Sequence, residues 1–254
     1  MTQPSPVFRT RLAASAQDIA AAQRLRYSVF VRELGACGGL IDHAAQTEAD
    51  RFDPFADHLL LEDTAQPGAP VVGAYRLMSA AQAAAAGGFS AAPEFDLTPL
   101  LATGRPVLEL GRSCLLPAYR GGPAMMHLFA ALAQIAADRG DAIMFGVASF
   151  HGTDAGALSA PLAYLRQHHL APAHLRARAH GPGAALMPAQ DPTDRKAALR
   201  DIPPLIKAYL RLGGVVGEGA CVDTAFNTVD VCMILDPALM TTAQRARAVP
   251  ERMR

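Results

Sequence analysis

Glu109 and Arg112 place a carboxylate and a guanidinium three residues apart in a segment that is otherwise apolar. In a regular strand the two side chains would lie on opposite faces, whereas a bulge at Gly111 would bring them to the same face. Buried charges need partners, so each must meet a counter-charge of the protein or of a substrate. Such a glutamate can accept a proton from an attacking amine, and it can equally anchor an ammonium group or a structural salt bridge.

Four further charged residues lie at the ends of predicted elements. Arg26 lies on the first predicted helix, Asp50 and Asp53 lie in the loop after it, and Arg76 interrupts an apolar strand. Together with the pair above they make three arginines and three carboxylates. We expect them to form one network that lines a polar cleft, because buried polar groups are stable in mutual contact.

A glycine-containing turn, Arg120-Gly121-Gly122, lies between a predicted buried strand and the start of a helix. Glycines let backbone N–H groups approach an anion, and the helix dipole favours negative charge there. The turn therefore indicates either a phosphate-binding site or an ordinary tight turn. It is neither a Walker loop nor the dinucleotide-binding glycine pattern.

The elements that must position these residues alternate between strand and helix. Apolar runs and turn residues predict strands at 7–12, 58–62, 71–78, 107–116, 142–150, 214–221 and 229–235. Helical periodicity predicts helices from Ser15 onward, with Ile19, Ala22, Leu25 and Val29 on one face, and at 124–138, 158–167 and 205–212. The fold class is thus α/β with a mixed sheet. We expect one domain over 1–254, with a C-terminal extension from about 171 packing onto it.

Composition limits the classes of function. The 254 residues include 23 Lys and Arg and 23 Asp and Glu, so the net charge of zero argues against a nucleic-acid partner. The four cysteines form no C-x-x-C pair, and no histidine set has metal-ligand spacing, so we expect neither disulfides nor a metal. No signal peptide and no membrane-length apolar run are present, which predicts a cytoplasmic protein.

One family resemblance follows from the spacing of the charged residues. Arg26-x-x-x-Phe30, Asp50-x-x-Asp53, Gly73-x-x-Arg76 and Glu109-x-x-Arg112 are similar to the pattern of the acyl-homoserine-lactone autoinducer synthases. Those enzymes are acyltransferases with a GNAT-like fold that take acyl groups from acyl carrier protein. This chain departs from them in having no tryptophan and in its long C-terminal extension.

A closer resemblance covers nearly the whole chain and rests on five blocks in order. They are Leu25-Arg26-Tyr27-Ser28-Val29-Phe30, Glu109-Leu110-Gly111-Arg112-Ser113-Cys114, Tyr119-Arg120-Gly121-Gly122, Ser149-Phe150-His151-Gly152-Thr153-Asp154 and Ile206-Lys207-Ala208-Tyr209-Leu210-Arg211-Leu212-Gly213. The blocks resemble the bacterial ornithine N-acyltransferases, often labelled haemolysin-like. That family moves a 3-hydroxyacyl chain from acyl carrier protein to the α-amine of ornithine, which gives lyso-ornithine lipid.

The resemblance implies roles for the site residues and no tightly bound cofactor. Glu109 and Arg112 would be catalytic, with Glu109 the candidate base. The substrate-binding residues would be Arg26, Phe30, Asp50, Asp53 and Arg76. The phosphopantetheine arm of the donor would lie on Ser113, Cys114, Leu115, Arg120, Gly121 and Gly122. Pro123 removes one N–H donor from that turn, which suits the single phosphate of a carrier-protein arm better than the pyrophosphate of coenzyme A.

Several alternatives stay open at this stage. Arg76 or Arg112 would clamp the acceptor carboxylate, and Asp50, Asp53, Glu218 and Asp223 are available to a cationic side chain, whereas a glutamine acceptor would need neutral partners. An autoinducer-type synthase, a non-catalytic carrier-binding protein and a membrane-active haemolysin-like protein are the other hypotheses. The basic segment 165–180 suggests docking of an acidic carrier protein or of anionic head groups, with an ordinary solvated basic face as the alternative. The tail arginines (Arg245, Arg247, Arg252 and Arg254) suggest peripheral contact with the inner face of the membrane.

Overall fold

A nine-stranded mixed β-sheet forms the centre of the computed structural model, which describes residues 5–248. The strands in this range are β1 (Phe8–Leu12), β2 (Leu40–Asp42), β3 (Thr47–Ala49), β4 (Asp57–Asp63), β5 (Val71–Ser79), β6 (Phe95–Asp96), β7 (Val107–Leu115), β8 (Ile143–His151), β9 (Arg178–Ala179), β10 (Ala184–Ala185), β11 (Val215–Val216), β12 (Ala220–Asp223) and β13 (Thr228–Leu235). The predicted mixed α/β architecture is confirmed.

The helices flank this sheet, and the longest is the one that follows the glycine-containing turn. They are α1 (Ala16–Arg26), α2 (Ala80–Ala85), α3 (Thr98–Leu101), α4 (Ala124–Asp138), α5 (Ser159–His169), α6 (Arg195–Asp201), α7 (Pro204–Arg211) and α8 (Thr242–Ala248). None of them combines the length and apolar character that crossing a bilayer requires. The predicted tail residues Arg252 and Arg254 lie outside the described part of the chain, as does the side chain of Arg247.

Helix α1 begins where the sequence predicts and ends differently. The Ser15 hydroxyl accepts a hydrogen bond from the backbone N–H of Asp18 at 3.2 Å, which caps the first turn. The predicted apolar stripe packs as expected, with Ala22, Leu25 and Val29 buried. From Tyr27–Glu33, however, the chain winds as a π-helix, a wide turn that often accompanies functional sites.

The strand order is β1-β4-β5-β7-β8-β13-β12-β10, with β11 paired to β13. Every neighbouring pair is antiparallel except β7 and β8, which run parallel. That parallel ladder joins only residues 107–109 of β7 to residues 143–145 of β8. Beyond it the two strands diverge and leave a gap in the middle of the sheet. Residues after 171 contribute β10–β13 to this same sheet.

Gly146 lies at the point where β7 and β8 separate. A Cβ atom there would meet the Leu110 carbonyl oxygen at 2.0 Å, far inside van der Waals contact. Only glycine therefore lets the two backbones approach so closely before they part. A β-bulge does occur on the other edge of β7, but at residues 112 and 113 rather than at Gly111, and these two residues face the single residue Tyr75 of β5. Arg112 adopts a φ of +50°, the left-handed conformation that the extra residue requires.

The hairpin of β2 and β3 occupies a stretch that the sequence predicts as a polar loop. Its second strand, Thr47–Ala49, carries Glu48, whose side chain is fully buried. The hairpin has no apolar alternation of its own, so no local signal could identify it. An ion pair to α1, described below, holds it in place instead.

We expect Gly146→Ala to destabilise the protein by about 3 kcal/mol or more, because the added methyl group must push β7 away from β8. Urea unfolding followed by circular dichroism measures the loss. Gly122→Ala is the matched control, since its Cβ would have no neighbour closer than 4.0 Å. Equal stability of the two variants would contradict this account of the strand divergence.

Candidate active site

A cleft of about 330 Å³ opens where β7 and β8 diverge. One wall comes from Gly111, Arg112 and Ser113 of β7, and the facing wall comes from residues 147–149 of β8. Phe30 on the π-helix also borders the cleft. The volume suits a small molecule with a few polar groups.

Arg26 is the centre of a buried ion network beside this cleft. Its guanidinium is 1% exposed and donates to Glu48 Oε2 at 2.5 Å, to the Glu48 carbonyl at 2.7 Å and to both oxygens of Asp53 at 2.8 Å. Burial alone would raise the pKa of Asp53, but the hydrogen bonds from Arg26 outweigh it and lower that pKa to about 2. The network therefore joins α1 to β3 and to the turn that follows.

Two more arginines extend the network towards the cleft. Arg76 pairs with Oδ2 of Asp50, and Arg112 Nη2 lies 2.9 Å from the same oxygen. Arg112 Nε also lies 3.3 Å from Glu48 Oε1. The three predicted arginines thus meet in one network. Its third carboxylate is Glu48 rather than the predicted Glu109, and no sequence signal identified Glu48.

Arg112 is the arginine of this network that borders the cleft. Its side chain is 22% exposed, and its guanidinium lies 4.7 Å from the centre of the Phe226 ring. Phe30 packs edge-on against the same ring at 6.3 Å. Six residues besides Glu109 are predicted for catalysis or substrate binding, and three of them border the cleft: Phe30, Asp50 and Arg112. The remaining three lie behind it and are Arg26, Asp53 and Arg76.

Glu109 has a different environment from the one expected of a base. It is 2% exposed, and its two oxygens accept hydrogen bonds from the backbone N–H groups of Ser90 at 3.0 Å and Ala91 at 2.8 Å. It is not among the residues that border the cleft, whereas Ser90 is. Glu109 therefore fixes the loop that forms one edge of the cleft.

That loop carries one member of an acidic cluster that the sequence analysis largely missed. Glu94, Asp223 and Asp230 each place a carboxylate oxygen within 4.8 Å of the other two, and all three border the cleft. Burial, together with the neighbouring carboxylates of the cluster, raises the pKa of Glu94 to about 8 and that of Asp230 to about 6. An ion or a cationic group of a substrate would fit this oxygen set.

Only Asp223 of this cluster was considered from sequence, as one of four carboxylates available to a cationic acceptor. Asp230 lies within an apolar strand, and such a charge is a signal that could have been used. Glu218, another of the four, is turned to Arg166 at 3.9 Å and Arg178 at 3.5 Å and does not border the cleft.

The predicted phosphopantetheine residues fall into two groups. Ser113 borders the cleft, while the side chains of Cys114 and Leu115 are buried in the core, where burial raises the pKa of the Cys114 thiol to about 12. Arg120, Gly121 and Gly122 form an exposed turn before α4, whose first turn has no side-chain cap. Arg120 is paired with both oxygens of Glu33, at 2.5 and 2.8 Å.

The basic segment 165–180 is mostly engaged within the protein. Besides the two arginines that face Glu218, His168 lies 3.1 Å from Asp191 and the Arg176 Nε donates to the Ala171 carbonyl at 2.8 Å. The Tyr164 ring packs against the His168 ring, with 4.5 Å between their centres, and it does not border the cleft.

We expect Arg26→Met to lower the free energy of unfolding by about 3–5 kcal/mol, because it leaves Glu48 and Asp53 buried without a counter-charge. Arg195→Met is the control. Its side chain is 62% exposed in a surface pair, so the loss there should stay within about 0.5 kcal/mol. Urea unfolding measures both, and a loss below about 1 kcal/mol in Arg26→Met would show that the network does not hold the fold.

We expect Glu94→Gln to change how stability depends on pH. A carboxyl group whose pKa rises from 4.5 to about 8 on folding binds its proton more tightly in the folded state. Its contribution to the free energy of unfolding therefore falls as pH rises through that window. The variant lacks this loss and should be more stable than the wild type at pH 8 by at least about 1 kcal/mol, with little difference near pH 4.5. Thermal unfolding across this range tests it, with the exposed Asp138→Asn as control.

Comparisons with known proteins show the family to which the chain belongs. A model of the acetyltransferase (GNAT) domain matches residues 25–130. The L-ornithine N(alpha)-acyltransferase of Rhodobacter capsulatus is 54% identical over 94% of this chain and 93% of its own length. The enzyme of the same name from Brucella abortus is 42% identical over 90% of this chain and 84% of its own.

Solved structures show the same fold at low sequence identity. A CoA-dependent acyl-homoserine lactone synthase, MesI, is 16% identical, with a TM-score of 0.50 over 95% of both chains. A second such synthase, BjaI, is 15% identical, with a TM-score of 0.50 over 92% of this chain and 81% of its own. The predicted GNAT-like fold is confirmed, and the chain belongs to the L-ornithine N(alpha)-acyltransferase family of acyltransferases.

Proposed function

We propose that this acyltransferase moves a 3-hydroxyacyl chain from the phosphopantetheine thioester of acyl carrier protein to the α-amine of L-ornithine. The product is an N-acylornithine, a lyso-ornithine lipid. The observation that carries the proposal is the charge pattern of the cleft, which has Arg112 on one side and the carboxylates of Glu94, Asp223 and Asp230 on the other. Such a cleft complements an amino acid that has a carboxylate and more than one amino group.

The donor arm would lie in the gap between β7 and β8. Strand backbones that have separated leave N–H and C=O groups without partners on the facing edges, and an extended pantetheine chain can bond to them. Backbone N–H groups from Ser113 to Leu115 would polarise the thioester carbonyl. The phosphate would meet the exposed turn at Gly121 and the uncapped start of α4, where Arg120 would exchange Glu33 for the phosphate.

The acceptor would bind with its carboxylate on Arg112. The α-ammonium first loses one proton, and the neutral amine attacks the thioester carbonyl to give a tetrahedral intermediate. The C–S bond then breaks as the amide is made, and the arm leaves as its thiol after taking up the second proton from the nitrogen. Glu109 stays the predicted proton acceptor. Each of its oxygens has lone pairs beyond the bond it accepts from Ser90 or Ala91, so a water beside Ser90 would relay the proton.

The product has one acyl chain and a polar head group, and it belongs at a membrane surface. We therefore place the reaction at the cytoplasmic face of the membrane, with transient peripheral contact as the product leaves. No tightly bound cofactor takes part in this scheme.

Incubation of the protein with 3-hydroxyacyl carrier protein and an equimolar mixture of L-ornithine, L-glutamine and L-homoserine tests the proposal by mass spectrometry. N-acylornithine should be the main product. Acylglutamine as the main product would contradict the acceptor, and turnover with acyl-coenzyme A but not with the carrier protein would contradict the donor. Absence of any amide would contradict catalysis altogether.

We expect Arg112→Met to lower kcat/KM for L-ornithine by about 100-fold, because a charged hydrogen-bonding pair to the acceptor is lost. Arg112→Lys keeps the charge without the planar fork and should lose less, about 10-fold. Arg195→Met, a surface substitution, should match the wild type. Wild-type kinetics in Arg112→Met would show that another group holds the carboxylate.

A further inference from the structure

The acidic cluster of Glu94, Asp223 and Asp230 is more than a patch of surface charge. Asp230 is 3% exposed and lies at the start of β13, opposite Ser149 of β8, where both residues border the cleft. Its Oδ1 has no hydrogen-bond partner among the described residues, and neither has Oε2 of Glu94. Buried polar atoms without partners are unfavourable, so these oxygens are arranged for a donor that arrives with a ligand.

The cluster also lacks a counter-charge of its own. Among the described residues, none of its three members forms a salt bridge with Lys, Arg or His, whereas Glu48, Asp50 and Asp53 across the cleft are all paired. Asp223 Oδ1 accepts the backbone N–H groups of Ala225 and Phe226 at 2.8 and 3.1 Å, which holds the loop rather than neutralising it. A cation entering the cleft would therefore meet, on this side alone, carboxyl groups that have no cationic partner among the described residues.

Two cationic groups of a diamino acid compete for such a site. The reacting α-amine must become neutral to attack, so a group of carboxylates that stabilises its charged form would oppose the reaction. The side-chain ammonium stays charged throughout and gains from each carboxylate that it meets. When the α-carboxylate binds Arg112, the side-chain ammonium at the other end of the acceptor would extend towards the cluster.

We propose that Glu94, Asp223 and Asp230 form the subsite for the side-chain ammonium of the acceptor, and that this subsite selects a diamino acid over a neutral one. The inference rests on the proposed function and deepens it. Besides its proposed part in proton transfer, Glu109 fixes the loop that ends at Glu94 through its bonds to Ser90 and Ala91.

The test compares L-ornithine with L-norvaline, which has the same carbon chain and lacks the terminal amine. Kinetics with 3-hydroxyacyl carrier protein and calorimetric binding of each amino acid are measured for the wild type, Asp230→Asn, Glu94→Gln and the exposed control Asp138→Asn. The wild type should prefer ornithine by about 100-fold in kcat/KM. Each cleft variant should reduce that preference by about 10-fold or more through KM for ornithine, with norvaline and the control variant little changed.

Each other outcome has a definite meaning. An equal loss with both acceptors would overturn the inference and assign the cluster to the reacting amine or to the fold. Loss of wild-type activity in EDTA with recovery in Mg²⁺ or Zn²⁺ would also overturn it in favour of a metal site. If no amide forms with either acceptor, the proposed function fails, and calorimetric preference for ornithine would still support the subsite. Because Glu94 is only half-buried, its variant tests the inference even if Asp230→Asn does not fold.

The pH dependence of binding supplies an independent measurement on the wild type. Protonated carboxyls do not attract an ammonium group, so the affinity for ornithine should rise from pH 5 to pH 8, while that for norvaline rises much less. A flat profile for ornithine would contradict the inference. The charged groups that face Glu94 and Asp230 from the surrounding elements are Asp223, Glu109 and Arg112.

Discussion

The buried guanidinium of Arg26 is the constraint on which the rest of the site depends. A cation that is 1% exposed is stable only because Glu48 and Asp53 surround it with hydrogen bonds, and those carboxylates are stable only because of the cation. Because the cation and the carboxylates stabilise one another, their contacts fix α1, the β2–β3 hairpin and the turn before β4 relative to one another. Glu48 then presents its other oxygen to Arg112, and Oδ2 of Asp50 contacts both Arg76 and Arg112, so the position of Arg112 depends on that of Arg26.

The cleft arises because the neighbouring strands β7 and β8 separate within the sheet, and residues at two positions allow this separation. Gly146 permits the close approach of β7 and β8 at the last point of pairing, and the bulge at Arg112 bends the same stretch of β7 on its other edge. Separation of two central strands exposes backbone groups that a continuous sheet would satisfy. A substrate with an extended polar arm can occupy that position, which explains why a binding site lies in the middle of a sheet rather than at its end.

The electrostatic character of the two sides differs for a physical reason. On the arginine side, every carboxylate of the network already has a guanidinium partner, so that side is rigid and nearly neutral apart from the exposed edge of Arg112. On the opposite side, three carboxylates share a half-buried space without a cation, and burial drives protons onto Glu94 and Asp230. The first arrangement has its counter-charges within the protein, whereas the second would gain one from the ammonium group of the proposed acceptor.

Local sequence patterns determined most of the elements, because strand alternation, helical periodicity, the Ser15 cap and the turn residues act over a few neighbouring positions. The residues on α1, β5 and β7 that resemble acyltransferases were identifiable for the same reason. Tertiary structure alone decided which charges meet. Glu48 replaces Glu109 in the ion network, Glu109 turns to the backbone of Ser90 and Ala91, and Glu94 and Asp230 meet from segments more than a hundred residues apart in the sequence. Which charged side chains pair depends on the distances between them in the folded protein. The periodicity of a strand or helix carries no information about its distance from the other elements.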